Sequence, residues 1–266
     1  MQPPASDDLA LLLSVASEAA EIAMGYFGRS PETWYKGAER SPVSEADFAV
    51  DLHVRERLLA ARPDYGWLSE ETVDDEARLT RDNVFVVDPI DGTRAFLAGK
   101  PDWCVSLAVV TGGEARSGVL VAPVRKEVWT AARGCGVRRN DRPLAARPAT
   151  GGSGSLRVSI PDPVARAVLS LGQRRLVRAP GGPSLALRLA RVAAGELDGA
   201  FVRPRAKEWD IAAADVMLQE TGHGLIDETG AAVSYNRADP SCGVLIAGGT
   251  AELGFLRSCF PKESGH

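Results

Sequence analysis

The first sixty residues repeat the pattern of a surface helix twice. Over residues 7–27, apolar side chains recur at steps of three and four, which places them on one face of a helix. A second helix is predicted to begin at Ser44, with Asp47 three positions later as in a capping box, and to end before Pro63. The buried side of this second helix is expected to consist of Phe48, Leu52, Leu58 and Leu59.

Beyond residue 80 the pattern changes to short apolar runs rich in β-branched residues. The run 84–87 predicts a buried strand that ends at Asp88. Further strands are predicted over 103–110, 117–121, 127–132, 199–202 and 244–247, and helices over 184–194 and 210–221. Because strands and helices alternate irregularly, we expect mixed α/β layers rather than a strict βαβ series.

A stretch of Pro, Ala, Thr, Gly and Ser at 148–156 is the best candidate for a flexible joint. It divides the chain into an N-terminal half, 1–147, and a C-terminal half, 148–266. A chain of 266 residues can form one large domain or two tightly joined ones, and we expect the halves to form one compact unit.

Charge and residue composition limit the binding partners and the cellular compartment that can be expected for this chain. The net charge is −4, without a basic stripe interleaved with aromatics, so no nucleic acid polymer is expected as a partner. Glu18 and Glu21 interrupt the first apolar helix, and the N-terminus lacks the basic start of a signal peptide, so no membrane span is expected. Four cysteines without a C-x-x-C pair are typical of a reducing cytoplasm and disfavour a structural zinc site.

The segment 88–93 reads Asp-Pro-Ile-Asp-Gly-Thr and follows the predicted buried strand. Its proline removes a backbone donor, so the strand cannot simply continue, and Asp88 and Asp91 can turn towards one point. Gly92 allows the backbone close to a ligand, and a helix beginning at Thr93 would direct its free N–H groups to the same place. This arrangement suits phosphate chemistry on bound metal. Taken alone, the segment also fits an aspartate-capped turn.

Three other acidic clusters lie at 44–47, 68–72 and 208–210. Separately, Asp47 and Asp210 fit helix caps, and Glu70 with Glu71 fits a solvated surface. Together, oxygen ligands without nearby His or Cys indicate a hard cation, Mg²⁺ or Mn²⁺. Buried like charges would repel one another unless cations neutralised them. The sequence does not establish that the clusters meet in space.

In this order the motifs resemble the inositol monophosphatase family, the magnesium-dependent, lithium-sensitive phosphatases that include the 3′(2′),5′-bisphosphate nucleotidases. The segment 88–93 matches the family's Asp-Pro-(Ile/Leu)-Asp-Gly-Thr signature in full, and 209–213 matches its Trp-Asp-x-Ala-Ala signature. The stretches 44–51, 69–71 and 134–144 resemble its other motifs. The resemblance implies the layered α/β (α+β) sandwich shared with fructose-1,6-bisphosphatase, two or three bound Mg²⁺ ions, and a homodimer as a candidate assembly.

The resemblance also implies roles for individual residues. Thr93, held by Asp47, would help to activate the attacking water, with Glu71 as a further candidate. The amides of Gly92 and Thr93 would contact the phosphate. The implied metal ligands are Glu70, Asp88, the carbonyl of Ile90, Asp91 and Asp210.

One departure bears on the substrate. Many inositol phosphatases carry an acidic residue several positions before Trp-Asp, whereas this region holds Arg203, Arg205 and Lys207. These three residues, with Ser184, are the candidate substrate contacts, and they suit a second phosphate better than a neutral polyol. The preferred substrate is therefore a nucleoside 3′,5′-bisphosphate, such as adenosine 3′,5′-bisphosphate hydrolysed to AMP. An inositol monophosphate, histidinol phosphate or a sugar bisphosphate are the alternative substrates. The three basic residues also fit a solvated loop, and the alternative to an enzyme is a non-catalytic protein that binds metal or a partner through the same scaffold.

Overall fold

The computed structural model describes residues 5–36, 41–144, 154–171 and 175–260. The expected joint at 148–156 lies largely outside these residues, so the division at 147 stays a prediction. The helices are α1 (Ala5–Tyr26), α2 (Glu45–Ala61), α3 (Thr93–Leu97), α4 (Asp162–Leu171), α5 (Leu185–Ala193), α6 (Glu208–Glu220) and α7 (Thr250–Ser258). The strands are β1 (Thr33–Lys36), β2 (Ser41–Ser44), β3 (Gly66–Ser69), β4 (Asn83–Asp91), β5 (Cys104–Thr111), β6 (Glu114–Ala122), β7 (Glu127–Ala132), β8 (Gly136–Arg139), β9 (Arg142–Pro143), β10 (Leu156–Ser159), β11 (Leu176–Ala179), β12 (Gly199–Val202), β13 (His223–Asp227) and β14 (Leu245–Gly249).

Two large sheets organise the chain. The first has seven strands in the order β3-β4-β5-β6-β7-β8-β9, with β3 parallel to β4 and the other neighbours antiparallel. The second has five strands in the order β11-β10-β12-β14-β13 and is mixed. A small hairpin pairs β1 with β2. The mixed layers expected from the irregular alternation are confirmed.

Side chains alternate between the two faces of each sheet, and this alternation builds the layers. Along β4, Val84 and Val86 pack towards α5 and α6, whereas Phe85 and Val87 pack towards α1 and α2. In the second sheet, Phe201 of β12 packs with residues of α4 and α7. The order of layers is therefore helices, seven-stranded sheet, helices, five-stranded sheet, helices.

The expected buried side of α2 was wrong in part. Leu58 is buried, but Phe48 and Leu52 are exposed, by 44% and 59%. Phe48 instead contacts the Trp34 ring of the hairpin, with ring centroids 5.9 Å apart. The buried residues of this helix are Ala46, Asp47, Val50, Asp51, Val54 and Leu58.

Helix α1 packs one face into the core. Leu12, Val15, Ala16 and Ala19 are fully buried in the cluster that also contains residues of α2 and the seven-stranded sheet. Within the described residues, this is the one helix long and apolar enough to cross a membrane by length and composition. About a third of this apolar window is buried, and its buried residues pack one face of α1 against α2 and the seven-stranded sheet.

Candidate active site

Carboxylates from distant parts of the chain meet in one place. Asp88 and Asp91 lie at the end of β4, and Asp210 lies in the first turn of α6. Each offers an oxygen, and these oxygens lie within 4.8 Å of one another. Asp88 and Asp91 are buried, whereas Asp210 is half-buried. Two of the acidic clusters in the sequence, more than a hundred residues apart, therefore form one site.

A bulge at the end of β4 makes this meeting geometrically feasible. Residues three apart in a regular strand point to opposite faces of the sheet. The pairing with β5 shifts between Asp88, opposite Ser106, and Asp91, opposite Cys104, so β4 carries one extra residue. The Asp88 Oδ1 atom accepts a hydrogen bond of 3.0 Å from the Ile90 amide, which orients the first carboxylate within the bulge.

The N-terminus of α5 holds the second carboxylate. Asp91 accepts hydrogen bonds from the Ser184 hydroxyl at 2.5 Å and from the amides of Leu185 and Ala186 at 3.2 and 2.8 Å. The helix dipole favours a negative charge at this end. Ser184 also caps the helix and is buried. Its side chain supports Asp91, and its expected contact with substrate stays a prediction.

Burial raises the pKa of all three carboxyl groups, and neighbouring negative charges add to the shift for Asp88 and Asp210. Burial, followed by the negative charges of Glu70 and Asp91, raises the pKa of Asp88 well above its ordinary value. Burial also raises the pKa of Asp91, although its hydrogen bonds oppose the shift. Burial and the charge of Asp91 raise the pKa of Asp210 to about 7. Because a bound cation would offset both burial and repulsion, this oxygen-only set fits Mg²⁺ or Mn²⁺.

Thr93 begins α3 beside this site. Its hydroxyl lies 3.4 Å from Asp47 Oδ1 and 3.1 Å from the carbonyl of Ile90. The other Asp47 oxygen accepts the amide and hydroxyl of Ser44, at 2.8 and 2.6 Å, so the capping interaction predicted at this helix is present. The pair of Thr93 and Asp47 is therefore assembled, and the roles proposed for them stay predictions.

Gly92 precedes Thr93 in a conformation that favours glycine. Its φ is +96°, in the left-handed region, and a Cβ here would lie 2.8 Å from the carbonyl oxygen of Asp102. The first amides of a helix have no acceptor within the helix. The structure therefore provides a close backbone approach at Gly92 and Thr93, where a phosphate contact was expected.

Glu70 and Glu71 follow β3, the parallel neighbour of β4. Ser69 pairs with Val87, so the chain leaves the sheet beside Asp88. The Glu70 amide donates to the Val87 carbonyl at 3.2 Å, and the Glu70 charge contributes to the raised pKa of Asp88. Glu70 is thus an electrostatic neighbour of the carboxylate site, although its ligation of a metal stays a prediction.

The three basic residues before Trp209 have different surroundings. Lys207 donates its ammonium to the Ser241 hydroxyl at 2.6 Å, and its amide donates to Asp210 Oδ2 at 2.7 Å. Lys207, rather than Asp210, occupies the N-cap position of α6. Arg205 is exposed with a φ of +74°. Arg203 is also exposed and lines a cavity.

This cavity, which we call the arginine cavity, has a volume of about 660 Å³. Its basic residues are Arg178, Arg188 and Arg203. Two segments, 159–163 and 178–183, complete the lining. Because the second segment leads directly to Ser184, which binds Asp91, the cavity adjoins the carboxylate site.

Arg188 was missed in the sequence and is the most informative residue of the cavity. Its Nη1 donates to the Ser159 hydroxyl at 3.3 Å, while its buried Nε has no hydrogen-bond partner. Burial lowers the pKa of Arg188, and the charges of Asp91 and Asp210 oppose this shift. The available signal was an arginine inside the otherwise apolar stretch 185–190.

A layered α/β fold with an all-carboxylate site at a bulged strand end defines a class of metal-dependent phosphatases. The model of the inositol monophosphatase family matches residues 6–255, and the chain belongs to that family. It is accordingly a phosphoric monoester hydrolase. The resemblance inferred from the motifs is confirmed.

Relatives in the family carry different names. An inositol-1-monophosphatase of Rhizobium meliloti is 33% identical, over 76% of this chain and 77% of the relative. A histidinol-phosphatase of Mycobacterium tuberculosis is 34% identical, over 85% and 89%. A Nus factor SuhB of Xylella fastidiosa is 32% identical, over 93% and 91%.

Solved structures confirm the expected fold. The extragenic suppressor protein SuhB of Bartonella henselae superimposes with a TM-score of 0.78 at 27% identity, covering 97% of this chain and 99% of that one. An inositol monophosphatase of Thermotoga maritima gives a TM-score of 0.81 at 24% identity, covering 95% and 96%. The second likeness concerns the fold alone.

Proposed function

We propose that the protein hydrolyses a small phosphomonoester by direct, in-line attack of water with Mg²⁺ held at the carboxylate site. The observation that carries the proposal is the meeting of Asp88, Asp91 and Asp210 within 4.8 Å. Glu70 and the carbonyl of Ile90 would complete the ligands. Bound Mg²⁺ would supply a lowered pKa for water and positive charge for the phosphoryl oxygens.

Residues of the chain would orient the water and the phosphate. The Thr93 hydroxyl would accept a hydrogen bond from the attacking water, while its own proton is directed to Asp47 Oδ1, which lies 3.4 Å away. Glu71 is the second candidate to take the water's proton. The amides of Gly92 and Thr93 would bind the phosphoryl oxygens at the start of α3.

The arginine cavity favours a substrate with a second negative group. Arg188 lines the cavity, and the charges of Asp91 and Asp210 affect its pKa. Its guanidinium could donate to an oxygen of a second phosphate. Arg203 adds a second cation to the same cavity. We therefore retain a nucleoside 3′,5′-bisphosphate as the preferred substrate.

Inositol 1-phosphate and histidinol phosphate are the second candidates, because relatives carry the names inositol-1-monophosphatase and histidinol-phosphatase. A neutral polyol would offer no anionic group to Arg188 and Arg203, whereas Arg178 already pairs with Asp162. Histidinol carries a positive amine, which the charges of Arg188 and Arg203 would repel. A sugar bisphosphate would satisfy the same cations.

A substrate panel with Mg²⁺ tests the proposal. Adenosine 3′,5′-bisphosphate is expected to give at least tenfold higher kcat/KM than inositol 1-phosphate or histidinol phosphate, and Arg203→Ala should reduce that preference. Turnover of inositol 1-phosphate a hundredfold more efficient than that of the bisphosphate would overturn the substrate assignment while leaving the phosphatase proposal intact.

The metal assignment has its own test. Asp88→Asn keeps the oxygen that accepts the Ile90 amide and loses one charge, so it should fold normally and lose turnover. Asp91→Asn is the weaker probe, because an amide nitrogen would face the donors at the start of α5. Wild-type activity in folded Asp88→Asn, or activity that survives removal of divalent cations by EDTA, would refute metal ligation at this site.

A further inference from the structure

The turn that carries Glu70 and Glu71 lies outside regular secondary structure. It leaves β3 at Ser69, and residues 70–75 belong to neither a helix nor a strand. The Glu70 amide is tied to the Val87 carbonyl. A turn of this kind needs side-chain hydrogen bonds to keep a single conformation, because it has no ladder of backbone bonds.

Asp51 supplies these bonds from α2. The residue is 6% exposed, and its two carboxylate oxygens accept hydrogen bonds from the hydroxyls of Ser69 and Thr72, the latter at 2.6 Å. Ser69 Oγ in turn accepts the Glu71 amide at 3.3 Å, and Thr72 Oγ1 accepts the Trp67 indole N–H at 3.2 Å. The Asp51 carboxylate therefore binds the turn at Ser69, before the two glutamates, and at Thr72, after them.

Asp51 lies one helical turn after Asp47, so the two acids share the buried face of α2. Asp47 contacts Thr93, whereas Asp51 contacts the turn at 69–72. Burying a carboxylate is costly unless donors surround it, and Asp51 directs both oxygens to hydroxyls of this one turn. One helix face thus supports two sides of the carboxylate site.

We propose that Asp51 is a positioning residue, which through Ser69 and Thr72 fixes the turn so that Glu70 and Glu71 face the metal site. The proposal rests on the proposed function, in which Glu70 binds metal and Glu71 is a candidate base. Loss of the anchor would leave both glutamates present but no longer held in place. Metal affinity should therefore fall without the removal of any ligand.

The test measures Mn²⁺ binding to the substrate-free protein by titration calorimetry, together with the Mg²⁺ concentration for half-maximal activity. Asp51→Ala is expected to weaken Mn²⁺ binding at least about tenfold and to raise the Mg²⁺ requirement in proportion. Asp51→Asn retains one accepting oxygen and should rescue part of the loss. Thr72→Val, which preserves shape at a half-buried position, should give a smaller shift in the same direction.

Asp8→Ala is the matched control. Asp8 lies on helix α1, is 4% exposed and accepts a hydrogen bond from the Tyr65 hydroxyl at 3.0 Å. Its replacement should lower the melting temperature yet leave Mn²⁺ affinity unchanged. The inference fails if folded Asp51→Ala and Thr72→Val bind Mn²⁺ within twofold of wild type, or if Asp8→Ala weakens binding equally.

If Asp51→Ala does not fold, Thr72→Val provides the test, because it leaves the Asp51 carboxylate in place and removes one of its hydrogen-bond donors. Two further outcomes distinguish failure of the proposed function from failure of the positioning role. If the wild-type protein itself binds no Mn²⁺ and hydrolyses no phosphoester, the proposed function fails, and the positioning role fails with it. Wild-type binding with insensitive variants refutes Asp51 alone.

Discussion

Replacing Arg78 by methionine should cost the protein about 3 kcal/mol of stability. The Arg78 side chain is 1% exposed, and its guanidinium donates to both oxygens of Asp74 at 2.7 Å. It also donates to Asn236 Oδ1 at 2.8 Å and to the Arg237 carbonyl at 2.9 Å. Methionine keeps the apolar stem and removes every one of these donors.

The magnitude follows from the acceptors left behind. The Asn236 and Arg237 oxygens would each lose a donor, at about 1 kcal/mol apiece. Breaking a buried ion pair costs about 3–5 kcal/mol, but the Asp74 side chain is 32% exposed and water would solvate it in part. We therefore take about 1 kcal/mol for the pair, which gives a total of about 3 kcal/mol.

Urea unfolding at constant m-value measures this cost. The matched control is Arg57→Met, because Arg57 also forms two hydrogen bonds to one carboxylate, that of Glu18, but is 51% exposed. An exposed pair of this kind contributes below about 1 kcal/mol. The reasoning is refuted if Arg78→Met shifts the urea midpoint no further than Arg57→Met does.

Arg78 also links two segments that flank the carboxylate site. Asp74 lies shortly after Glu71, while the amides of Asn236 and Arg237 donate to the fully buried Glu208, at 2.7 and 3.2 Å. Glu208 opens α6 two residues before Asp210. Arg78→Met should therefore weaken Mn²⁺ binding as well as stability.

Three further predictions concern a packed glycine, a buried carboxylate and two cysteines. Gly118→Ala should lower the free energy of unfolding in urea by about 1–3 kcal/mol and reduce activity, because the new Cβ would lie 2.4 Å from the Ala213 carbonyl oxygen of α6. The control is Gly254→Ala in α7, which has open space around the new Cβ and should leave stability unchanged or raise it. In EDTA, the melting temperature should fall as pH rises from about 4 to 7, because burial raises the pKa of Asp210 to about 7 and the folded state therefore holds a proton that the unfolded state releases. Bound Mg²⁺ should make this decline smaller. A melting temperature that does not change with pH in EDTA would contradict the raised pKa. A thiol reagent should modify the exposed Cys135 quickly and leave Cys104 unreactive until the protein unfolds, because Cys104 is buried and burial raises its pKa. Fast labelling of Cys104 in the native protein would contradict this prediction.

Strong local patterns made several elements predictable. The run 84–87 is apolar at every position because both faces of β4 are covered by helices, and such a strand is recognisable without its partners. The helix after Ser184 was predictable because its serine cap and apolar positions lie within a dozen residues. Strand β3 and helix α4 were not predicted from the sequence.

Helix α2 shows where local patterns stop being sufficient. Hydrophobicity favoured burial of Phe48 and Leu52, yet the buried face includes Asp47 and Asp51. These acids can be buried because hydroxyls of Ser44, Ser69, Thr72 and Thr93 surround them. Most of those donors come from other parts of the chain, so no pattern within the helix could count them.

The sequence by itself determined the family, the acidic motifs and the chemistry that carboxylates favour, because each depends on residue types and on their order along the chain. Only the tertiary structure showed that Asp210, a ligand implied by the resemblance, meets Asp88 and Asp91, and that Arg188 lines a cavity where the charges of Asp91 and Asp210 affect its pKa. It also assigned Asp51 to the turn at Glu70. These juxtapositions arise from how sheets and helices pack across the layers, where contact depends on distance in space rather than separation along the chain.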